Sequence, residues 1–151
     1  MNSMDRLYIA YGSNLNLDQM KRRCPTAEVI GTAELKNWRL WFRGGNHNAV
    51  ATIEPERGYK VPVLIWRIQP RDEFALDRYE GWPQLYRKEM LRLTLNGKRV
   101  YAMVYIMNEA HHPYGAPATG YFDTIREGYE SANFDTRILY DAVSYSKEAA
   151  K

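Results

Sequence analysis

The sequence predicts an α+β fold, a small mixed-sheet barrel with flanking helices. Three observations carry that reading. Long β-type stretches fill the middle of the chain. Helix patterns with start and stop residues stand before, between and after them. The order of strands and helices is mixed, without the strict alternation of a parallel α/β sheet. At 151 residues the simplest organisation is one domain, 1–151, and a chain of this size hides roughly 70% of its unfolded surface. No repeat, low-complexity linker or composition break divides it.

The elements follow in order. Arg6–Ala10 reads as a strand that stops abruptly in Gly12-Ser13-Asn14. Asn16 is placed to cap a short helix, with Gln19 three residues on and Leu17, Met20 and Cys24 on one face. Pro25 ends it. A long β region comes next, in three runs: "AELKNWRLWFR", "AVATIEP" and "VPVLIWRI". In the last, Val61, Val63, Ile65 and Ile68 are joined by Leu64 and Trp66, the mark of a strand buried on both faces. "PRDEFALDRYEGW" reads as a helix with Pro70 in its first turn, Asp72 and Glu73 at the N-terminal end, and Gly81 as its stop. "MLRLTLNGKRVYAMVYIM" places Asn96-Gly97 between two alternating runs, which specifies a two-residue hairpin turn. "HHPYGAPATG" reads as a loop, and helices are expected over 121–131 and 135–146.

Composition excludes several functions. The net charge of +3 is too small and too scattered to argue for nucleic acid by itself. The one basic run, Lys21-Arg22-Arg23, falls at a helix C-terminus, where it complements the dipole. The single cysteine, Cys24, forbids an internal disulfide and suits a reducing, cytoplasmic setting. No apolar stretch approaches the ~20 residues of a membrane span, and "MNSMDR" lacks a signal-peptide pattern. No metal or cofactor is expected. His47 stands alone, and His111-His112 is an adjacent loop pair whose side chains diverge. No metal-spaced cluster or phosphate-binding glycine loop occurs. Cys24 reads as packing, and Ser13 has no identifiable base. The 12 tyrosines and 4 tryptophans suit a pocket with apolar walls and polar tips.

Two places carry chemistry. In "YIAYGSN" (8–14) the strand end presents consecutive backbone N–H groups, which favour an anion or a developing oxyanion; a plain strand-to-helix turn would look the same. Glu80 lies four residues after Leu76, with Ala75 and Tyr79 flanking, so a carboxylate ends an apolar stripe. Partial burial there would raise its pKa toward neutrality and make it a usable acid or base; a solvated glutamate in a frayed last turn is the alternative.

Taken together, "YIAYGSNL", "LDRYEG", the tyrosine of "WPQLYRKE" and "TGYFDTIREGY" resemble the γ-glutamylcyclotransferase-like superfamily, which includes the AIG2-like proteins. The resemblance spans residues 8 to about 140. It implies a small mixed barrel with flanking helices. It implies a substrate-binding segment of Tyr8, Ile9, Ala10, Tyr11, Gly12, Ser13 and Asn14, a catalytic Glu80, and pocket tyrosines Tyr86 and Tyr121. Tyr79 before the glutamate, and Trp82-Pro83 after Gly81, depart from the family pattern and are expected to reshape the pocket.

The implied reaction is cyclisation of a γ-glutamyl amide or γ-glutamyl-amine to 5-oxoproline with release of the amine. Glu80 would move the proton, and the chain would need only a small-molecule γ-glutamyl substrate as partner, with self-pairing as a homodimer left open. Variants of the same reaction would use γ-glutamyl-amines, ε-linked γ-glutamyl-lysine, or a γ-glutamyl protecting group. A non-catalytic small-metabolite-binding protein using the same pocket is the alternative, although mere carboxylate binding gains nothing from a buried acid. Nucleic-acid binding by the aromatic and arginine content of "WRLWFR" ranks last, since alternating aromatics in a strand usually belong to a core.

Overall fold

The computed structural model describes residues 4–108 and 112–151. Met1–Ser3 and His111 lie outside the described residues, so the start of the chain and the His111-His112 pair are not placed. The elements are β1 (Arg6–Ala10), a single 3-10 turn (Ser13–Leu15), α1 (Leu17–Arg23), β2 (Glu28–Arg43), β3 (Val50–Ile68), α2 (Pro70–Glu80), β4 (Tyr86–Leu95), β5 (Lys98–Met107), α3 (Thr119–Ser131) and α4 (Thr136–Ala149).

One mixed sheet runs in the order β2-β3-β1-β5-β4. β1 is central. It pairs antiparallel with β3, Tyr8 opposite Trp66, and parallel with β5, Tyr8 opposite Met103. The predicted α+β class holds. The barrel is a loose description, because the sheet is not closed. β2 and β4, its two edges, come side by side without a ladder: a Cβ on Gly31 would lie 3.1 Å from the Leu95 side chain.

Both-face burial of β3 is as the sequence predicts, with Val61, Val63, Leu64, Ile65, Trp66 and Ile68 all buried. The runs "AVATIEP" and "VPVLIWRI" are not separate strands, however. They form one strand of 19 residues. Its irregular middle is absorbed opposite Asn37, which takes a φ of +66° and accepts a hydrogen bond from the amide of Gly58, itself at +90°. β2 likewise begins at Glu28, ahead of the "AELKNWRLWFR" run, because its partner β3 is long enough to template the extra residues.

The predicted hairpin is present. Leu95 pairs with Lys98, and Asn96 and Gly97 both have positive φ, 51° and 80°, as a tight mirror-image turn requires. Asn16 caps α1 by accepting from the Gln19 amide. Met20 and Cys24 are buried, but Leu17 is half exposed, since the first turn of so short a helix overhangs the core. Asp72 closes the N-terminus of α2 by accepting from the Gln69 amide, and Gly81 stops the helix at a left-handed φ of +67°. That stop leaves Glu80 as the last helical residue. α3 begins two residues before the expected 121 and α4 ends beyond the expected 146. No described helix is long and apolar enough to cross a membrane.

Candidate active site

Where β1 ends, its chain turns through Gly12 into the 3-10 turn, and the last turn of α2 faces it. Between them lies a cavity of about 180 Å³. Tyr8, Ile9, Tyr11, Gly12, Ser13, Asn14, Glu80, Tyr86 and Tyr121 all line it. Segments far apart in sequence therefore meet as expected. Ala10 does not line the cavity; it is buried in the core.

Glu80 is half-buried and faces this cavity. Burial pushes its carboxyl up to about 7, against the opposing pull of the Arg23 guanidinium. No described residue donates a hydrogen bond to it. The carboxylate is thus both destabilised as an anion and free to act.

The tyrosines around it are mostly engaged with backbone. Tyr86 donates to the Ala51 carbonyl at 2.6 Å, and the Tyr121 hydroxyl accepts from the Ala51 amide at 2.9 Å. Tyr11 donates to the carbonyl of Tyr105 at 2.7 Å. Burial raises the hydroxyls of Tyr8, Tyr11, Tyr86 and Tyr121, so all stay neutral beside Glu80. Gly12 is held close: a Cβ there would lie 3.2 Å from Ala51 Cβ and 3.7 Å from the Tyr121 hydroxyl. The amides of Gly12, Ser13 and Asn14 have no acceptor among the described residues, whereas Leu15 and Asn16 donate back into the turn.

Three contributors were not foreseen. The sequence places Arg23 at a helix C-terminus, complementing the dipole. Arg23 also lies over the Tyr79 ring at 3.1 Å and donates to Ser13 Oγ and Asn14 Oδ1. Its helical spacing from Asn16 and Gln19 was the available signal. Tyr105 enters because β5 runs parallel to β1, a pairing no local pattern announces. Its hydroxyl donates to Asp77, which is ion-paired with Lys88 at 2.8 Å. Ala51 contributes through its backbone, and the type of a small residue carries no such signal.

Of the two departures from the family pattern, Tyr79 shapes the pocket, its hydroxyl 3.3 Å from Ser13 Oγ. Trp82 and Pro83 do not line it; Trp82 lies instead beside Lys88. Cys24, its thiol raised to about 12 by burial, packs as expected. Among the described residues, no three His, Cys, Asp or Glu side chains gather as metal ligands.

A mixed α+β sheet with a lone acid under a strand-end turn defines a class, and comparison with known proteins gives its name. The chain belongs to the gamma-glutamyl cyclotransferase, AIG2-like family, whose model matches residues 8–124. It is 30% identical to the human gamma-glutamylcyclotransferase over 110 residues, which cover 67% of this chain and 58% of that protein. The bovine gamma-glutamylcyclotransferase is 33% identical over 84 residues, 50% of this chain and 44% of the relative. The matched region thus spans about half the length of these curated relatives. A solved gamma-glutamyl cyclotransferase has the same fold, with a TM-score of 0.79 at 24% identity, over 91% of this chain and 86% of that one. So does YkqA from Bacillus subtilis, with a TM-score of 0.77 at 17% identity, over 97% of this chain and 56% of that one.

Proposed function

We propose that this chain is a γ-glutamyl cyclotransferase-type enzyme that converts a γ-glutamyl amide or amine to 5-oxoproline and the free amine. The observation that carries the reading is Glu80, an unpaired carboxylate raised to about 7 at the pocket between β1 and α2. The family membership and the names of the curated relatives support it.

The chemistry needs one acid–base group. A γ-glutamyl compound holds an α-ammonium, an α-carboxylate and a γ-carbonyl. Glu80 takes a proton from the α-ammonium, the freed amine attacks the γ-carbonyl, and Glu80 returns the proton to the departing nitrogen. It then accepts the second proton from the ring nitrogen and passes it on, leaving a neutral lactam and the amine as its ammonium. Ring closure within one molecule draws on proximity. The unpaired amides of Gly12, Ser13 and Asn14 suit the α-carboxylate.

The test is a panel of γ-glutamyl compounds scored for 5-oxoproline by mass spectrometry, in wild type and Glu80→Gln. A positioned acid–base group contributes about 10²–10⁴-fold, so kcat should fall by that order in the variant. Near wild-type turnover by Glu80→Gln would remove the mechanism. Activity should persist in excess chelator; its loss there, with recovery on adding a divalent ion, would replace the one-carboxylate scheme.

A further inference from the structure

Two pocket hydroxyls accept a hydrogen bond and keep their own proton without an acceptor among the described residues, Tyr121 and Tyr8, and only Tyr8 is held by a chain of side chains that ends in a cation. Tyr8 is buried, lines the cavity, and accepts a hydrogen bond from Asn14 Nδ2 at 2.9 Å. Its own proton has no acceptor among the described residues. The Asn14 amide cannot be turned the other way. Arg23 has only donors, so the Asn14 atom facing its Nη1 must be the carbonyl oxygen, which leaves the NH₂ for Tyr8. The Asn14 backbone is pinned as well, its carbonyl accepting from the Trp66 indole at 3.2 Å. Arg23 is fixed in turn by the Tyr79 ring and Ser13. The hydrogen bonds therefore run one way, from Arg23 to Asn14 to Tyr8, and the Tyr8 hydroxyl, which lines the cavity, keeps its own proton to donate.

We propose that Tyr8 is the donor to the γ-carbonyl oxygen as it becomes an oxyanion, with Asn14 and Arg23 as the positioning residues that make Tyr8 an obligate donor. This rests on the cyclotransferase reading of the same pocket. A chain of hydrogen bonds headed by a cation polarises each link, which strengthens the final donor. Such a donor gives most to an oxygen that is gaining charge, and so acts on the transition state. The step balances without Tyr8 ionising. The amine nitrogen forms its bond to the γ-carbon, and the carbonyl π pair moves onto the oxygen beside Tyr8. Glu80 holds the first amine proton and passes it to the leaving nitrogen. The pair then returns, the carbonyl re-forms and the carbon–nitrogen bond to the leaving amine breaks. Glu80 then takes the second proton from the ring nitrogen, which becomes the neutral lactam N–H, and gives that proton to the departed amine, which leaves as its ammonium. Tyr8 keeps its proton throughout.

The experiment uses whichever panel compound the wild type cyclises fastest. Tyr8→Phe should lower kcat about 10²-fold, the order lost with one oxyanion donor, while KM changes far less. The rise of activity through about pH 7 that belongs to Glu80 should remain. Asn14→Asp is isosteric, but its carboxylate accepts the Tyr8 proton and turns it out of the pocket, so it should mimic Tyr8→Phe. On the alkaline plateaus, where Glu80 is ionised in every variant, adding Asn14→Asp to Tyr8→Phe should cost little more, whereas independent roles would multiply. A folded Tyr8→Phe protein with wild-type kcat, an effect confined to KM, or multiplying losses overturns the proposal. Should Tyr8→Phe not fold by thermal melt, Asn14→Asp alone decides, and unchanged kcat there overturns it. An active wild type with an unaffected Tyr8→Phe removes this proposal alone. A wild type that releases no 5-oxoproline from any panel compound removes the cyclotransferase reading along with it.

Discussion

The Glu80 carboxylate is held in a form that opposes folding at neutral pH. Its folded value, about 7, lies above its ordinary 4.5, so the native state binds the extra proton between those values. The sign follows from linkage: the relative stability this group gives is present below about 4.5 and is lost as pH rises through about 7. Glu80→Gln removes that loss. The variant should match wild type in chemical denaturation near pH 4 and exceed it at pH 8; a variant less stable at pH 8 would mean the carboxylate is paired after all. Tyr121 illustrates the opposite dependence. Its hydroxyl satisfies the buried Ala51 amide, so Tyr121→Phe leaves that donor without a partner, at a cost of about 1–3 kcal/mol. Since Ala51 also borders Gly12 and the pocket, KM should rise more than kcat falls, and an unchanged KM would detach Tyr121 from the ligand. Residue chemistry of this kind was legible in sequence for Glu80, because the apolar Leu76 face and the Gly81 stop both lie within one helical turn of it. It was not legible for Arg23, whose partners Asn14 and Tyr79 come from different elements.

Among the elements, α3 does the most to hold the site. Its first turn carries Tyr121, and its third rests directly on the 3-10 turn. Gly128 permits that approach: a Cβ would lie 2.6 Å from Leu15 Cβ and 2.9 Å from the Asn16 nitrogen. Asn16 Nδ2 completes the joint by donating to the Thr124 carbonyl and to Glu127. Gly128→Ala must push helix and turn apart, with an expected destabilisation of about 1–3 kcal/mol from overpacking and a higher KM. Gly120→Ala, on the same helix with nothing within 4 Å of its Cβ, should leave kinetics unchanged and stability equal or slightly higher. Matching losses from both would mean α3 tolerates no side chain anywhere, and would undo the argument from close approach. The elements whose boundaries were readable are those punctuated by their own residues, such as the Asn96-Gly97 hairpin and α2 between Pro70 and Gly81. β3 reads as two runs in the sequence because the irregular stretch opposite Asn37 breaks the alternation, whereas pairing with β2 on both sides of that irregularity holds the two runs in one strand. Parallel pairing of β1 with β5, and with it the place of Tyr105, depends on contacts no local pattern encodes.

At the scale of the whole molecule, the pocket has no local owner. β1 and the turn after it supply Tyr8 to Asn14, the start of β3 supplies Val50 and Ala51, α2 supplies Tyr79 and Glu80, β4 and β5 supply Tyr86 and Tyr105, and α3 supplies Tyr121. These segments are joined through the central strand β1, which touches both halves of the sheet. A ligand in the pocket therefore binds only when nearly every element is in place, and its binding energy adds to global stability. At a free concentration one hundred times its Kd the gain is about 2.7 kcal/mol. On the one-domain organisation we propose, thermal unfolding should be one transition, and 5-oxoproline should move that entire transition to higher temperature with a dependence that follows its Kd from calorimetry. Glu80→Gln should retain most of the shift, because Tyr8 and the amides proposed to hold the carboxylate are untouched, even though its turnover should be lost. Two resolved transitions, only one of them ligand-sensitive, would show that part of the chain folds apart from the site and would refute the one-domain organisation. A measured Kd with no change in the melting temperature would place the bound ligand on a locally unfolding surface, away from the buried cavity between β1 and α2.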